Sequence, residues 1–302
     1  MNKSITRCKN QISNLYTPYL DESCAFLSIS SDGYYWRTSK LGSADIIALK
    51  SGEWYDTRLS ADPENEEDEY LILEQLCEIL PKFNTIFTFN GTSFTIPYLK
   101  SKFDAYDLPN PFQKAQNPIQ RDLYMEYKAL YRFLKLPSRK LSDFSGFLGG
   151  SDENDAEMLL NISRLLPYTE FLKGEISPIQ AVPSGSDLVF IFKLKTPVPV
   201  RNSFNAGPFY VLLEDCIGKI SVKTENGYIK HFYPDYRNYE YLPEEGFAIH
   251  KSLSSFVEKS RKIPAQPDTA FTLIKSDGNI KSDLKSQKEY INSVIVYIAQ
   301  KL

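Results

Sequence analysis

The chain has 302 residues, 42% hydrophobic and 24% charged, so it is long enough for two domains and can bury a core in each. This composition excludes widespread disorder. The two His residues are too few for a His-rich metal centre, and a net charge of −3 excludes general attraction to phosphate backbones. The four Cys residues are isolated from one another, which is typical of a cytoplasmic protein. No apolar run approaches the ~18 residues of a membrane span, so we expect a soluble protein without a membrane partner.

The first half of the sequence alternates between strand and helix patterns. Short apolar runs bounded by turn residues predict strands over residues 25–30, 44–50, 53–59 and 85–89. Apolar residues at helical spacing predict helices over residues 69–80, 93–103, 123–134 and 152–166. This alternation is typical of an α/β domain, to which we assign residues 1–174.

The second half of the sequence changes to strand patterns separated by Pro, Gly and Asn turns. We predict strands over residues 187–195, 209–214 and 218–224, a helix over 250–259, and a tail of short strands and polar loops over 270–302. Residues 175–302 are therefore expected to form a smaller β-rich domain. The formal charge is −5 for residues 1–174 and +2 for residues 175–302, so neither part is a strongly basic module.

Four short segments carry a resemblance to a known family. They are, by sequence, AFLSISSDG at residues 25–33, TFNGTSFTIPYL at 88–99, RDLY at 121–124 and SDENDAEMLL at 151–160. In this order and spacing they resemble the motifs of bacterial ribonuclease H-like proteins of the DEDD exonuclease superfamily, of the DnaQ and YprB type. Similarity to a Firmicutes-type branch with a carboxy-terminal extension continues to about residue 262. The resemblance implies a ribonuclease H-like mixed sheet flanked by helices, followed by the β-rich domain.

The resemblance also implies where a nuclease site would lie. DEDD nucleases hold two divalent metals with carboxylates, since hard cations such as Mg²⁺ prefer anionic oxygen ligands. The four ligand positions of the family correspond here to Ser28, Ser30, Thr95 and Asp155, and the His that precedes the last of them corresponds to Ser151. Only Asp155 is acidic, so we expect no catalytic residues, no bound metal and no cofactor.

An alternative keeps the chain an active metal-dependent nuclease with rearranged ligands. Asp32, Asp122 and Asp155 would then hold Mg²⁺ or Mn²⁺. A simpler interpretation is that Asp122 and Asp155 stabilise helix starts, where anionic side chains are favoured by ~0.3–1 kcal/mol. We favour the simpler interpretation.

A basic and aromatic helix is the candidate binding feature. We expect six side chains to contact single-stranded nucleic acid. Five lie along the predicted helix 123–134 or just beyond it, and the sixth belongs to the motif at residues 88–99: Lys128, Arg132, Lys135, Tyr124, Tyr127 and Asn90. The competing interpretation is a solvated charged face beside half-buried tyrosines. The leading hypothesis is thus a catalytically degenerate ribonuclease H-like protein that binds nucleic acid or a protein, and a scaffold protein without nucleic-acid binding remains the other alternative.

Overall fold

The structure is a computed structural model that describes residues 1–9, 11–12, 20–113, 118–150 and 154–302. The chain forms two compact units, which are described separately below. The first unit comprises Met1–Tyr131 with Lys135–Leu166, and the second comprises Arg132–Leu134 with Pro167–Leu302.

The first unit is built on a six-stranded mixed sheet. Its strands in chain order are β1 (Asn2–Arg7), β2 (Cys24–Ser31), β3 (Leu41–Lys50), β4 (Glu53–Ser60), β5 (Thr85–Thr88) and β6 (Ile119–Asp122). In space they run β1-β4-β3-β2-β5-β6. The pairs from β1 to β2 are antiparallel, and β5 and β6 continue the sheet parallel to β2. The sheet is therefore mixed, as the resemblance implies.

Helices pack on both faces of this sheet. The helices of this part of the chain are α1 (Asp68–Ile79), α2 (Ile96–Ala105), α3 (Leu123–Glu126), α4 (Leu130–Phe133), α5 (Leu141–Phe147), α6 (Asp155–Ile162) and α7 (Leu166–Leu172), of which α4 and α7 include residues of both units. One sheet face forms an aliphatic core with α1 and α2 that includes Leu27, Ile46, Leu59, Leu76 and Leu99. On the opposite face Phe26 stacks on Phe87 with ring centroids 5.0 Å apart. Helix α6 packs against β2 and β3.

The second unit is rich in antiparallel strands. They are β7 (Ile176–Ser184), β8 (Asp187–Leu194), β9 (Asn202–Ala206), β10 (Phe209–Glu214), β11 (Ile217–Lys223), β12 (Tyr228–Phe232), β13 (Tyr239–Leu242), β14 (Phe247–His250), β15 (Ile263–Pro264) and β16 (Phe271–Lys275). The largest sheet has the order β7-β8-β11-β10-β9. After α7, the second unit contains the helices α8 (Lys251–Ser254), α9 (Asn279–Ser282) and α10 (Leu284–Lys301). The expected fold class, a ribonuclease H-like α/β sheet followed by β-rich sheets, is confirmed.

Three of the predicted elements are wrong. The tail was expected to mix short strands and loops, yet eighteen of its residues, Leu284–Lys301, form the helix α10, whose buried residues recur at helical spacing despite many β-branched side chains. The helix predicted over 250–259 is only the single turn α8. The helix predicted over 123–134 is divided into α3 and α4, and Lys135 then has a left-handed backbone with φ of 58°.

Among the residues that the structure describes, no helix is both long and apolar enough to cross a bilayer.

Candidate functional site

The two family positions on β2 project from the same side of the sheet. Ser28 and Ser30 are alternate residues of one strand, so their side chains share the face that carries Phe26. Ser28 is half-buried and Ser30 is exposed. The neighbour of Ser28 on β3 is Asp45, its direct partner in the antiparallel register. Ser28 and Ser30 therefore keep the alternating spacing of the two family positions, but their side chains carry no negative charge.

Asp155 approaches this same face from α6. It is the first residue of that helix, is exposed, and its charge contributes to raising the pKa of Asp45. Asn154 caps the helix by accepting a hydrogen bond from the Glu157 amide at 2.8 Å. Position 151, where the family has His and this chain has Ser151, lies outside the described residues. The structure thus places the one acidic family position near the strand pair that carries Ser28.

Thr95 occupies the remaining family position at the start of α2. It is buried and ends a π-helical turn, Gly91–Thr95, that connects β5 to the helix. Asn90 opens this turn in a left-handed backbone with φ of 61° and is exposed. Gly91 is required by packing, because a Cβ atom there would lie 1.9 Å from the Thr88 hydroxyl oxygen. The local frame of the motif is intact, but a threonine hydroxyl supplies no negative charge for a cation.

Asp122 has a structural role at the end of β6. Its carboxylate accepts hydrogen bonds from the backbone amides of Asn90 and Thr92, both at 2.9 Å, and from that of Tyr124 at 3.1 Å. Asp122 therefore fixes the turn after β5 and caps α3 at once. This agrees with the simpler interpretation of Asp122 as a capping residue.

Asp32 is likewise held by the backbone. Its Oδ1 accepts a hydrogen bond from the Lys40 amide at 2.6 Å, which closes the loop between β2 and β3. Across the described part of the chain, no group of three or more Asp, Glu, His or Cys side chains is placed to hold a metal ion. The rearranged ligand set of Asp32, Asp122 and Asp155 is therefore not assembled.

The expected nucleic-acid-binding helix is not a single surface. Tyr127 is fully buried and its hydroxyl donates to the Ile162 carbonyl at 2.8 Å, so its ring cannot stack on a base. Tyr124 is half-buried, with its ring against the edge of Phe89. The prediction for Tyr127 is wrong because a contact with α6, distant in sequence, turns this side chain inward.

The three basic side chains of the same segment are exposed but do not share one helix. Lys128 lies between α3 and α4, and Lys135 follows α4 in a left-handed backbone. Arg132 donates to the main-chain oxygen of Leu302 at 2.5 Å. The aligned cationic stripe expected from helical spacing is therefore not formed.

Sequence reasoning missed an exposed aromatic loop between β2 and β3. The loop contains Tyr34, Tyr35, Trp36 and Arg37 in succession, and Tyr34 is 89% and Tyr35 54% exposed. The Arg37 guanidinium lies 5.2 Å from the Trp36 ring centre and donates to the Tyr35 hydroxyl at 3.2 Å. Three consecutive aromatic residues inside a polar turn, followed by Arg, were the signal in the sequence.

This aromatic loop is anchored at its base. The Tyr35 carbonyl accepts hydrogen bonds from the backbone amides of Thr38 and Ser39, both at 3.0 Å. The buried Lys102 ammonium donates to the Ser39 carbonyl at 2.7 Å. Tyr34 contacts Phe94 of the second motif edge-on, with ring centroids 5.5 Å apart. The loop is therefore an ordered extension of the motif region.

A second missed feature is a pair of buried carboxylates on β3 and β4. Burial raises the pKa of Asp45 to about 6, helped by the charge of Asp56 and opposed by Arg58, whose Nε lies 3.6 Å away. Burial also raises the pKa of Asp56, although the Asn154 amide donates to this carboxylate at 3.1 Å. Each carboxylate keeps a buried Oδ1 without a hydrogen-bond donor among the described residues. The face that carries the family positions is thus anionic through residues other than the family ligands.

One known family is similar to a large part of the first unit. Residues 45–164 match the family model of the RNase H superfamily. The first unit therefore has a ribonuclease H-like fold. The match begins at Asp45, so the ribonuclease H-like segment as matched includes Thr95 and Asp155 but not the β2 positions Ser28 and Ser30. The resemblance drawn from the motifs is confirmed at the level of the ribonuclease H-like domain.

Solved structures with a similar chain path include several of exonuclease I. The complex of E. coli exonuclease I with a dT13 oligonucleotide is 10% identical with a TM-score of 0.40, covering 91% of this chain and 74% of that one. Exonuclease I in its apo form is 10% identical with a TM-score of 0.40, covering 92% and 69%. The complex named ExoI/SSB-Ct is 10% identical with a TM-score of 0.39, covering 91% and 74%. A search of curated proteins gives no significant match.

Proposed function

We propose that the first unit binds single-stranded nucleic acid without hydrolysing it. The observation that carries this proposal is the ordered aromatic loop of Tyr34, Tyr35, Trp36 and Arg37 beside the second motif. Proteins that bind single strands without sequence preference commonly combine aromatic rings, on which bases stack, with cationic side chains near the phosphates. Tyr34 and Tyr35 supply exposed rings, and Arg37 supplies a guanidinium beside them.

The absence of hydrolysis follows from the residues at the family positions. A two-metal mechanism requires carboxylates that neutralise the charge of both cations and hold them close together. Ser28, Ser30 and Thr95 provide neutral hydroxyls, and Asp155 is the one acid among the four. Asp122 accepts backbone amide hydrogen bonds at both carboxylate oxygens and Asp32 at one, and these two residues form no metal-binding group with Asp155 among the described residues. The residues present do not fit a two-metal site, and no cofactor is part of the proposal.

Preorganisation supports a binding role for the loop. A flexible aromatic loop would lose conformational freedom when it bound a base, and that loss would weaken affinity. Here the turn around the Tyr35 carbonyl and the Lys102 contact with Ser39 fix the loop beforehand. Stacking on such a platform contributes about 1–3 kcal/mol per base.

The charge of the first half limits how such binding works. A formal charge of −5 over residues 1–174 gives no long-range attraction, so contacts with phosphates must be local and few. For single strands, each phosphate neutralised contributes a slope of about −0.7 to the dependence of log affinity on log salt. We therefore expect a shallow salt dependence, with stacking as the main source of affinity.

Fluorescence anisotropy with labelled dT and rU oligonucleotides tests the proposal. Wild type should bind single strands in EDTA, and the Tyr34→Ala/Tyr35→Ala variant should bind about tenfold or more weakly because two stacking rings are lost. Tyr210→Ala, which removes a 41% exposed tyrosine from β10, is the matched control and should bind as wild type does. Equal affinity of wild type and the double variant would reject the loop as the interface.

Two further measurements separate the alternatives. Gel assays in Mg²⁺ and Mn²⁺ should show intact oligonucleotides, whereas cleavage abolished by Asp155→Asn would support a rearranged nuclease site. The Lys128→Gln/Arg132→Gln/Lys135→Gln variant should retain most of its affinity, because these side chains form no common face. If wild type binds no oligonucleotide even at low salt, the scaffold or protein-binding alternative is the better description.

A further inference from the structure

A cavity of about 330 Å³ lies in the first unit at the base of the β2–β3 loop. The ends of β2 and β3 form one wall, and the segment between β4 and α1 forms the other. Ala61 and Pro63 give it apolar surface, and Ser30 lines it from β2. This volume is at the lower end of the range for small-molecule sites, so it suits one compact group of the size of an amino-acid side chain.

The charges around the cavity are unbalanced. Four carboxylates line it, from Asp32, Asp62, Glu66 and Glu69, against the single ammonium of Lys40. Glu69 is already neutralised, because the buried Lys102 ammonium lies 2.7 Å from its Oε1 and the Tyr106 hydroxyl donates to Oε2 at 2.6 Å. The other three carboxylates form no ion pair within the described ranges of the chain. The cavity therefore keeps an excess negative charge beside apolar walls.

Two of these carboxylates are held in place. The Asp32 carboxylate accepts from the Lys40 amide, and Asp62 Oδ1 accepts from the Glu64 amide at 3.1 Å. The Asp62 amide in turn donates to the fully buried Asp68 at 2.8 Å. The Asp32 and Asp62 carboxylates are thus positioned by the fold, while Glu66 is exposed at the rim.

The combination of apolar walls and excess carboxylates selects a class of ligand. A phosphate or carboxylate ligand would be repelled, and a bare metal ion finds no set of three ligating side chains among the described residues. We propose that this cavity binds an organic cation, an alkylammonium or alkylguanidinium group, with Asp62 and Glu66 as charge partners and Ala61 and Pro63 against its methylene chain. The group belongs to a free amine or to a Lys or Arg side chain of a peptide. This inference does not depend on the proposed binding of nucleic acid.

Calorimetric titration at low salt tests this cavity with three probes: n-butylguanidinium, spermidine and a capped Gly-Arg-Gly tripeptide. Wild type should bind butylguanidinium, and the Asp62→Asn/Glu66→Gln variant should bind it about tenfold or more weakly. The control variant Glu64→Gln/Glu67→Gln makes the same charge change in the same segment at residues that do not line the cavity, and its affinity should stay within about twofold of wild type. Tripeptide binding tighter than spermidine binding would identify a protein side chain as the natural group, and the reverse order a free amine.

A second variant tests the cavity without changing any charge. Ala61→Leu enlarges a side chain that lines the space and should abolish binding of all three probes, provided that its melting temperature shows a folded protein. This variant carries the test if the double carboxylate variant fails to fold. The proposal is overturned if no probe binds wild type at millimolar concentration. It is equally overturned if the control variant weakens binding as much as Asp62→Asn/Glu66→Gln does, since the attraction would then be diffuse.

Discussion

Asp45 on β3 lies directly opposite Ser28 on β2 in the antiparallel register. Side chains at directly paired positions share a face, and their Cβ atoms are about 4.5–5.5 Å apart. The carboxylate that the family resemblance expects on β2 is therefore absent, while another carboxylate stands one strand away. Asp45 is buried, and its pKa is raised to about 6, mainly because burial removes its carboxylate from water.

The raised pKa of Asp45 predicts that this residue destabilises the protein at neutral pH. The folded-state pKa of about 6 exceeds the ordinary value of 3.8, so the stability linked to protonation is fully present below pH 3.8 and is lost as the pH rises through about 6. Asp45→Asn should therefore raise the free energy of unfolding at pH 8 by about 1–3 kcal/mol, and the gain should shrink toward pH 5. Urea unfolding between pH 5 and 8 measures this.

The neighbours of Asp45 define the control for that experiment. Asp56 and Asp155 raise its pKa and Arg58 lowers it, so each of them contributes to the pH profile. Asp277→Asn, at an exposed position of the second unit, should leave the profile unchanged. A less stable Asp45→Asn variant at pH 8 would mean that the Arg58 contact outweighs the cost of burial.

Gly91 is predicted to tolerate no side chain. A Cβ atom at this position would lie 1.9 Å from Oγ1 and 2.5 Å from Cβ of Thr88, so Gly91→Ala should cost about 1–3 kcal/mol or more in thermal or urea unfolding. Gly146→Ala in α5 is the control, because its Cβ would meet nothing within 4 Å, and it should be neutral or stabilising by about 0.5–1 kcal/mol. In a Thr88→Gly background the Gly91→Ala penalty should fall. An equal penalty in both backgrounds would contradict the steric explanation.

Tyr127 is predicted to matter for stability and not for binding. Tyr127→Phe removes a buried hydrogen bond and leaves the Ile162 carbonyl without this donor, which should cost about 1–2 kcal/mol of unfolding free energy. Oligonucleotide affinity measured by anisotropy should stay unchanged, because the ring is fully buried in both proteins. Reduced affinity at unchanged stability would instead support the original assignment of Tyr127 to the interface.

Restoring the family ligands should create a metal-dependent protein. The Ser28→Asp/Ser30→Glu/Thr95→Asp variant adds acids at three of the four family positions, and the new acid at position 28 would face Asp45 directly. Like charges at this spacing raise one another's pKa, so the variant should melt below wild type without metal. Mn²⁺ bound only to the folded state should raise its melting temperature again, while wild type stays indifferent.

The same experiment has an internal test in Asp45. Adding Asp45→Asn to the triple variant should recover part of the lost stability in the absence of metal, because one of the repelling charges is removed. A triple variant whose melting temperature ignores Mn²⁺ would show that positions 28, 30, 95 and 155 no longer form one site.

Local patterns predicted much of the first unit. The hairpin strands, the helix α1 and the strand β5 lie within three residues of their predicted ends, because turn residues such as Ser51-Gly52 and the spacing of apolar side chains act over a few neighbours. The motif around Thr95 was also readable, since Gly91 is set by a contact three residues away. The helix α10 was not predictable from local patterns, because its β-branched residues favour a strand locally. Packing against the second unit's sheets stabilises the helix instead.

The sequence by itself determined the ribonuclease H-like fold, the loss of three acidic family positions and the short motifs that frame them. The tertiary structure alone decided that Tyr127 is buried, that the Asp122 carboxylate accepts hydrogen bonds from backbone amides, and that Asp45 lies opposite Ser28 as a buried acid. The physical reason is that fold and motif depend on side-chain spacing along the chain. Burial, pKa and hydrogen-bond partners depend on strand register and on helices that are distant in sequence.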